Sequence, residues 1–314
     1  MKKRSFWNIL LVFWILFFGA TLGYCRGNSD IRYETDLSKE KEIIRVQYEK
    51  VRKILGITES VSKISIRTHE GRDARGDVIE IEDGSISLEL AEKTGEIVFV
   101  YSLNTANDLH KWQEKFPDSN KPIRKPTEMF ALARNYVERI TGKPVPENFI
   151  ARTTYYDQGY LRGKWNIIWR RTLNGYPYDN DVIGIGFSDV SGKFISLVVS
   201  QTSEICPTEV KIPEEEARKI AIEYTSQHVH KFYQNAYGGQ FSNPEIESIE
   251  LRIVNPNYLY ERKLRGLPIR PTLKSRLAYY IWVKYKVDQP KNAIKMLVWI
   301  DAATGKILGG DYTG

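Results

Sequence analysis

Lys295–Gly314 reads KMLVWIDAATGKILGGDYTG. An apolar run is followed by Asp301, two small residues, Thr304-Gly305-Lys306 and a second apolar run. That is the pattern of two strands joined by a tight hairpin. Gly305 supplies the left-handed backbone that the turn needs, and Thr304 and Asp301 can bond the turn backbone. Two further stretches have the same form, Leu88–Thr105 (LELAEKTGEIVFVYSLNT) around Gly95 and Ile183–Thr202 (IGIGFSDVSGKFISLVVSQT) around Gly192, where Asp189 is expected to bond the turn as Asp301 does.

Working outward from each hairpin, the same order recurs. In residues 38–105, Ile44, Tyr48, Val51 and Leu55 mark one face of a helix that Gly56 ends. Alternating Ile64 and Ile66 and the run Val78–Ile81 read as strands before the hairpin. In residues 127–202, Met129, Ala133, Tyr136, Val137 and Ile140 form the stripe, with Thr127 as N-cap and Gly142 as stop. Strands Phe149–Tyr156 and Trp165–Arg171 follow, and Asn174-Gly175 marks a turn. In residues 212–314, Pro213 precedes the acids Glu214, Glu215 and Glu216, which suit the positive end of a helix dipole. Ala217, Ile220, Ala221 and Tyr224 make its stripe. Strands Ile249–Val254 and Leu277–Val287 lead to the last hairpin. The expected fold is α+β, with tandem modules each of one helix on an antiparallel β-sheet. The competing reading is a single α+β domain with accidental repeats. Residues 106–126, with Pro117, Pro122 and Pro126, read as a linker.

The chain has 314 residues, 42% apolar and 27% charged, enough to build extensive cores. Residues 1–25 read as an export leader or membrane anchor: Lys2, Lys3 and Arg4, then apolar Ile9–Phe18, then small residues. Three fates fit it: cleavage, lipidation at Cys25 within Leu22-Gly23-Tyr24-Cys25, or retention as an anchor. All place the bulk of the chain outside the cytoplasm. Tyr24 departs from the lipidation pattern. Without the three leader cations, the 46 basic residues fall to a +4 balance over 39 acids. This mild charge, with no basic reading element, argues against nucleic acid. Two cysteines, Cys25 and Cys206, exclude a disulfide framework, and Cys206 reads as a buried structural thiol.

These residues carry a resemblance. Ile212-Pro213-Glu214-Glu215-Glu216-Ala217, Tyr279–Val283 and Val298–Leu308 resemble a PepSY domain, a family named for peptidase propeptides and the germination protein YpeB. Trp165–Arg171, Asn174–Pro177 and Phe187–Lys193 resemble the related YcdB/YcdC-type repeat. Together they span residues 127–314; the first unit matches only in its helix and hairpin. The resemblance implies extracytoplasmic, non-catalytic modules that restrain or regulate a peptidase. It carries no functional residue onto this chain.

No residues read as catalytic, metal-binding or cofactor-binding. His228 and His230, two apart on a helix, point to different sides, and no HExxH occurs. Glu214–Glu216 fit helix-start electrostatics better than acid–base chemistry. Ile183-Gly184-Ile185-Gly186 lies inside a strand, where glycine marks a bulge or a close approach, and is not a phosphate loop. One stretch breaks the modular pattern. Asn255–Arg276 is too long for a turn and holds Arg262, Lys263, Arg265, Arg270, Lys274 and Arg276 beside Tyr258 and Tyr260. It reads as either a solvated loop or a contact for an anionic surface. A second aromatic segment, Tyr155–Tyr160, occupies the corresponding place in the second unit. The expected function is non-catalytic binding or regulation outside the cytoplasm, with a peptidase or envelope protein as partner. The alternative is an envelope structural protein that binds an anionic wall polymer or membrane surface. A hydrolase of unfamiliar type is the third reading.

Overall fold

The stripe Ile44, Tyr48 and Val51 winds into helix α1 (Glu42–Leu55), and Gly56 closes it at φ 68°. A computed structural model describes residues 32–313 apart from 60, 62, 70–75, 119, 201–205, 238–240, 268–271, 273 and 288–293. The leader, Cys25 and Arg270 lie outside the described residues. After α1 come strands β2 (Ile64–His69), β3 (Val78–Glu82), β4 (Ile86–Ala91) and β5 (Ile97–Ser102). A short strand β1 (Arg32–Thr35) precedes the helix and pairs antiparallel with β2.

The pattern repeats twice. Helix α3 (Pro126–Thr141) leads into β6 (Phe149–Tyr156), β7 (Lys164–Leu173), β8 (Tyr176–Ser188) and β9 (Phe194–Ser200). Helix α4 (Glu214–Tyr237) leads into β10 (Phe241–Val254), β11 (Arg276–Val287), β12 (Ile294–Asp301) and β13 (Ile307–Thr313). Each module is therefore one helix and a four-stranded antiparallel meander. Register ties them together. Ile66, Ile81, Leu88 and Val100 stand opposite one another across the first meander. Thr153, Ile167, Ile185 and Leu197 do so in the second. Ile249, Ile281, Val298 and Gly310 do so in the third. The register slips one residue beyond this row in each last hairpin, next to Glu89, Gly186 and Trp299. A β-bulge at one place in three meanders is a feature of the module.

The first two modules share one sheet and one core. β5 pairs antiparallel with β9, and Val100 faces Leu197, its own counterpart five residues past the hairpin glycine. This places a local two-fold at the centre of a nine-stranded sheet. Stripes from α1 and α3 meet in a common core with Trp165, Trp169, Phe187 and Phe194. Lys50 Nζ of α1 donates to Ile140 O near the end of α3 at 2.8 Å. The third module has its own core: α4 packs on β10–β12, and Tyr279, Ile281, Val283 and Tyr285 share the face towards it. It joins the rest where Ile253 of β10 meets Tyr178 of β8 in parallel.

Several expectations need correction. The supposed linker begins with helix α2 (Leu103–Lys115), capped by Ser102 Oγ, which accepts from Thr105 N. Its far end is held by Arg162, whose guanidinium donates to Gln113 O and Phe116 O at 2.7 and 2.6 Å. A cation at the last carbonyls complements the helix dipole. Thr127 is not an N-cap: Pro126 takes the first helical position and Lys125 precedes it without a side-chain cap. β10 begins at Phe241, eight residues before the expected start.

Candidate functional site

The stretch that interrupts the third module is built onto the body of the protein. It contains a short helix, α5 (Leu259–Leu264). Before it, the side chain of Asn257 acts as a strand backbone would. Its Nδ2 donates to Gly310 O at 2.9 Å and its Oδ1 accepts from Gly310 N at 3.2 Å. Tyr258 N donates to Leu308 O at 2.9 Å. These bonds occupy the outer edge of β13. The approach requires glycine at 309 and 310, because a Cβ would collide with Asn257 at the first and with the Leu297 carbonyl at the second.

Tyr260 lies fully buried under α5, its hydroxyl 2.5 Å from Leu297 O and 2.9 Å from Asp311 O. Burial and the nearby Asp311 raise its pKa well above the usual tyrosine value. Asn255 Nδ2 donates to Thr272 O, and Thr272 N to Pro256 O, closing the base of the excursion. Of the two expected contact tyrosines, therefore, Tyr260 is structural, while Tyr258 is part-exposed at φ 47°.

The outer surface of α5 carries Arg262, Lys263 and Arg265, with Arg265 paired to Glu261 at 3.0 Å. Partial burial pulls the Lys263 amine below its usual pKa. Leu264 and Leu267 stand 46% and 47% exposed beside them, a mixed basic and apolar surface. Lys274 is exposed just before β11. Arg276 opens β11 opposite Val254, and its charge is felt by the buried Cys206 thiol. The cations thus fall on α5 and around the root of β11. A cleft of about 270 Å³ opens between α4, α5 and β13, lined by Tyr224, His228, Tyr258, Glu261 and Ile307 among others. His228 is spent structurally: its ring stacks on Tyr224 with centroids 4.3 Å apart, and Nδ1 lies 2.8 Å from Tyr224 O. His230 packs edge-on against Phe241, away from it. Among the described residues no group of His, Cys, Asp or Glu is placed to hold a metal.

Gly95, Gly192 and Gly305 sit at φ 67°, 66° and 73°, each donating its N–H to the carbonyl four residues back. The Thr or Ser before each accepts from the residue after it. Asp301 bonds the turn as expected, accepting from Ala303 N and Thr304 N. Asp189 does not. It accepts from Trp165 Nε1 and from the amides of Ile123 and Arg124, so it fastens the α2–α3 connection to β7. The aromatic segment Tyr155–Tyr160 turns inward only at its start: Tyr155 packs on Trp165 and Tyr156 is buried, whereas the Tyr160 side chain is exposed and its backbone O accepts from Gln113 of α2.

Two clusters have no clear signature in the sequence. Where the second and third modules meet, Arg252, 3% exposed, pairs with Asp179 at 3.1 Å and lies 4.2 Å from the Tyr280 ring centroid. Burial and Asp179 raise the Asp311 carboxyl to about 7. On β7, Lys164 lies across Gly186 with Nζ 3.4 Å from Ser196 Oγ, and burial lowers its pKa to about 8.

No protein-family model matches the chain, and no curated protein matches it. Among solved structures, the Bacillus megaterium YpeB C-terminal domain aligns at 13% identity and a TM-score of 0.37, over 88% of this chain and 98% of that one. A likeness this loose defines neither the fold nor the activity. Among the described residues no helix is long and apolar enough to cross a membrane.

Proposed function

We propose that the chain is a non-catalytic, extracytoplasmic binding protein of PepSY type, and that the α5 surface holds a protein partner, a peptidase or another envelope protein. The observation that carries this reading is the anchoring of α5. Asn257, Tyr258 and Tyr260 fix it to β13, so that Leu264 and Leu267 are presented with Arg262, Lys263 and Arg265 in a set arrangement. A preordered surface of apolar side chains rimmed by charge loses little entropy on binding and suits a protein interface. The sequence resemblance supports the partner class, and the apolar start of the chain supports export. A second reading, adhesion to an anionic wall polymer or membrane surface, draws on the cations of α5 with Lys274 and Arg276.

Affinity capture from an envelope extract at low and high salt separates the two. Retention of a peptidase or other envelope protein at both salts, lost in Leu264→Glu/Leu267→Glu, is the expected result. Retention of anionic polymer alone, and only at low salt, would move the assignment to the second reading, since exposed ion contacts are screened.

A further inference from the structure

Among the described residues four strands end a sheet, and three of them are defended. β1 has only four residues, two of them charged, and Arg32 bridges to Glu82. β13 is closed by Asn257 and Tyr258. β10 carries Pro244, a left-handed Asn243, two register shifts and the junction with β8. Charge, brevity, proline, bulges and covering segments are the usual means of blunting an edge. β6 has one charge, Arg152, and among the described residues otherwise lacks them. It is eight residues long, without proline or glycine, and its register with β7 is unbroken.

Its outward groups can be identified. Asn148 O accepts from Thr172 N and Tyr156 O from Gly163 N, both on the β7 side. With continuous register, the even positions therefore face β7, and Phe149, Ala151, Thr153 and Tyr155 turn their N–H and C=O outward. Phe149 N donates to Pro146 O at 3.2 Å, and among the described residues no backbone group meets those of Ala151, Thr153 and Tyr155. Ile150 on the same strand is 65% exposed.

The molecule shows what such an edge takes. In the nine-stranded sheet β2 is the counterpart of β6 across the local two-fold, and β2 carries β1 antiparallel. Tyr33 faces Ile66, the counterpart of Thr153, and Glu34 faces Ser65, the counterpart of Arg152. We infer that β6 is a docking edge for one extended segment of a partner protein, added antiparallel over Ala151–Thr154, with an acidic residue opposite Arg152. Backbone bonds hold such a strand, and the side chain at the charged position selects it. The inference is independent of the α5 surface.

The probe is a labelled synthetic peptide carrying residues 30–37 of this chain, which places Glu34 opposite Arg152 when docked in the β1 register. Saturable binding to the full chain, read by fluorescence anisotropy, is expected. N-methylation of the Tyr33 amide in the peptide should weaken it by about tenfold, because one or two backbone bonds are lost. Thr153→Pro should do the same, since it removes an outward N–H and leaves the β7 ladder intact. Arg152→Glu should weaken binding, and a Glu34→Lys peptide should restore it to that variant. The absence of saturable binding, or binding indifferent to both the N-methyl group and Thr153→Pro, would overturn the inference. So would sedimentation showing a dimer that Thr153→Pro abolishes, which would assign the edge to a second copy.

Discussion

Lys164 shows how one glycine can create room for a charge. Gly186 leaves space across the strand, and the lysine stem fills it. Burial then disfavours the ammonium, and the pKa falls to about 8. For a base whose folded pKa is depressed, the unfolded chain holds more protons between pH 8 and the unperturbed 10.5, so stability rises with pH across that window. Below pH 8 the full cost of the buried charge is present. Lys164→Met is expected to raise the unfolding free energy by about 3 kcal/mol at pH 7. The gap to the parent protein should close as pH approaches 10.5. Urea titrations at pH 7, 9 and 10 would test this, and a gap that does not change with pH would refute the assignment. The sequence does not announce such a residue, because its environment is made by strands far apart in the chain. Asp301 and Asp189 make the same point. Asp301 stands four residues before its hairpin glycine and Asp189 only three; in the second hairpin Ser188 takes the place of Asp301, its Oγ accepting from Ser191 N. Asp189 is claimed by Trp165 and by residues of the α2–α3 connection, partners that no local pattern supplies.

At the level of elements, periodicity located α1, α3 and α4, the hairpins and most strands, because each buries one face and must repeat every 3.6 or every two residues. It missed α2 and α5. Those helices are held by caps and single anchors: Arg162 at the end of one, Asn257 and Tyr260 at the start of the other. α5 is also shorter than two full turns, so it leaves no stripe to read. The interruption in the third module is thus explained as the lock on β13. Asn257→Ala is expected to cost about 2–3 kcal/mol, from the loss of two bonds to Gly310 and one to Leu259 N. The Gly310 amide should then exchange with deuterium far faster than in the parent. Unchanged exchange there would mean that Tyr258 and Tyr260 suffice to close the edge.

For the whole molecule, the repeat was legible and its assembly was not. Three Thr/Ser-Gly hairpins fixed the module. Nothing local shows that β5 seeks β9 while β13 turns to Asn257, since these choices depend on edges meeting in space. The shared core predicts how the chain divides. A fragment of residues 28–105 leaves one side of β5 open and half the core exposed, and should lack a cooperative thermal transition. A fragment of residues 28–202 keeps both halves of the nine-stranded sheet and should melt cooperatively. Near-ultraviolet circular dichroism of the two pieces decides the matter, and independent cooperative folding of the shorter one would contradict a single core.

The antiparallel meeting of Val100 and Leu197 also sets a clock. When β5 leaves the ribosome, its partner strand has yet to be made. At ordinary elongation speeds the roughly ninety intervening residues take about 5–20 s. For that interval an apolar ribbon with an open ladder waits in a crowded compartment. Until β9 emerges the first module holds only its own half of the shared core, and completion of the nine-stranded sheet waits on the second.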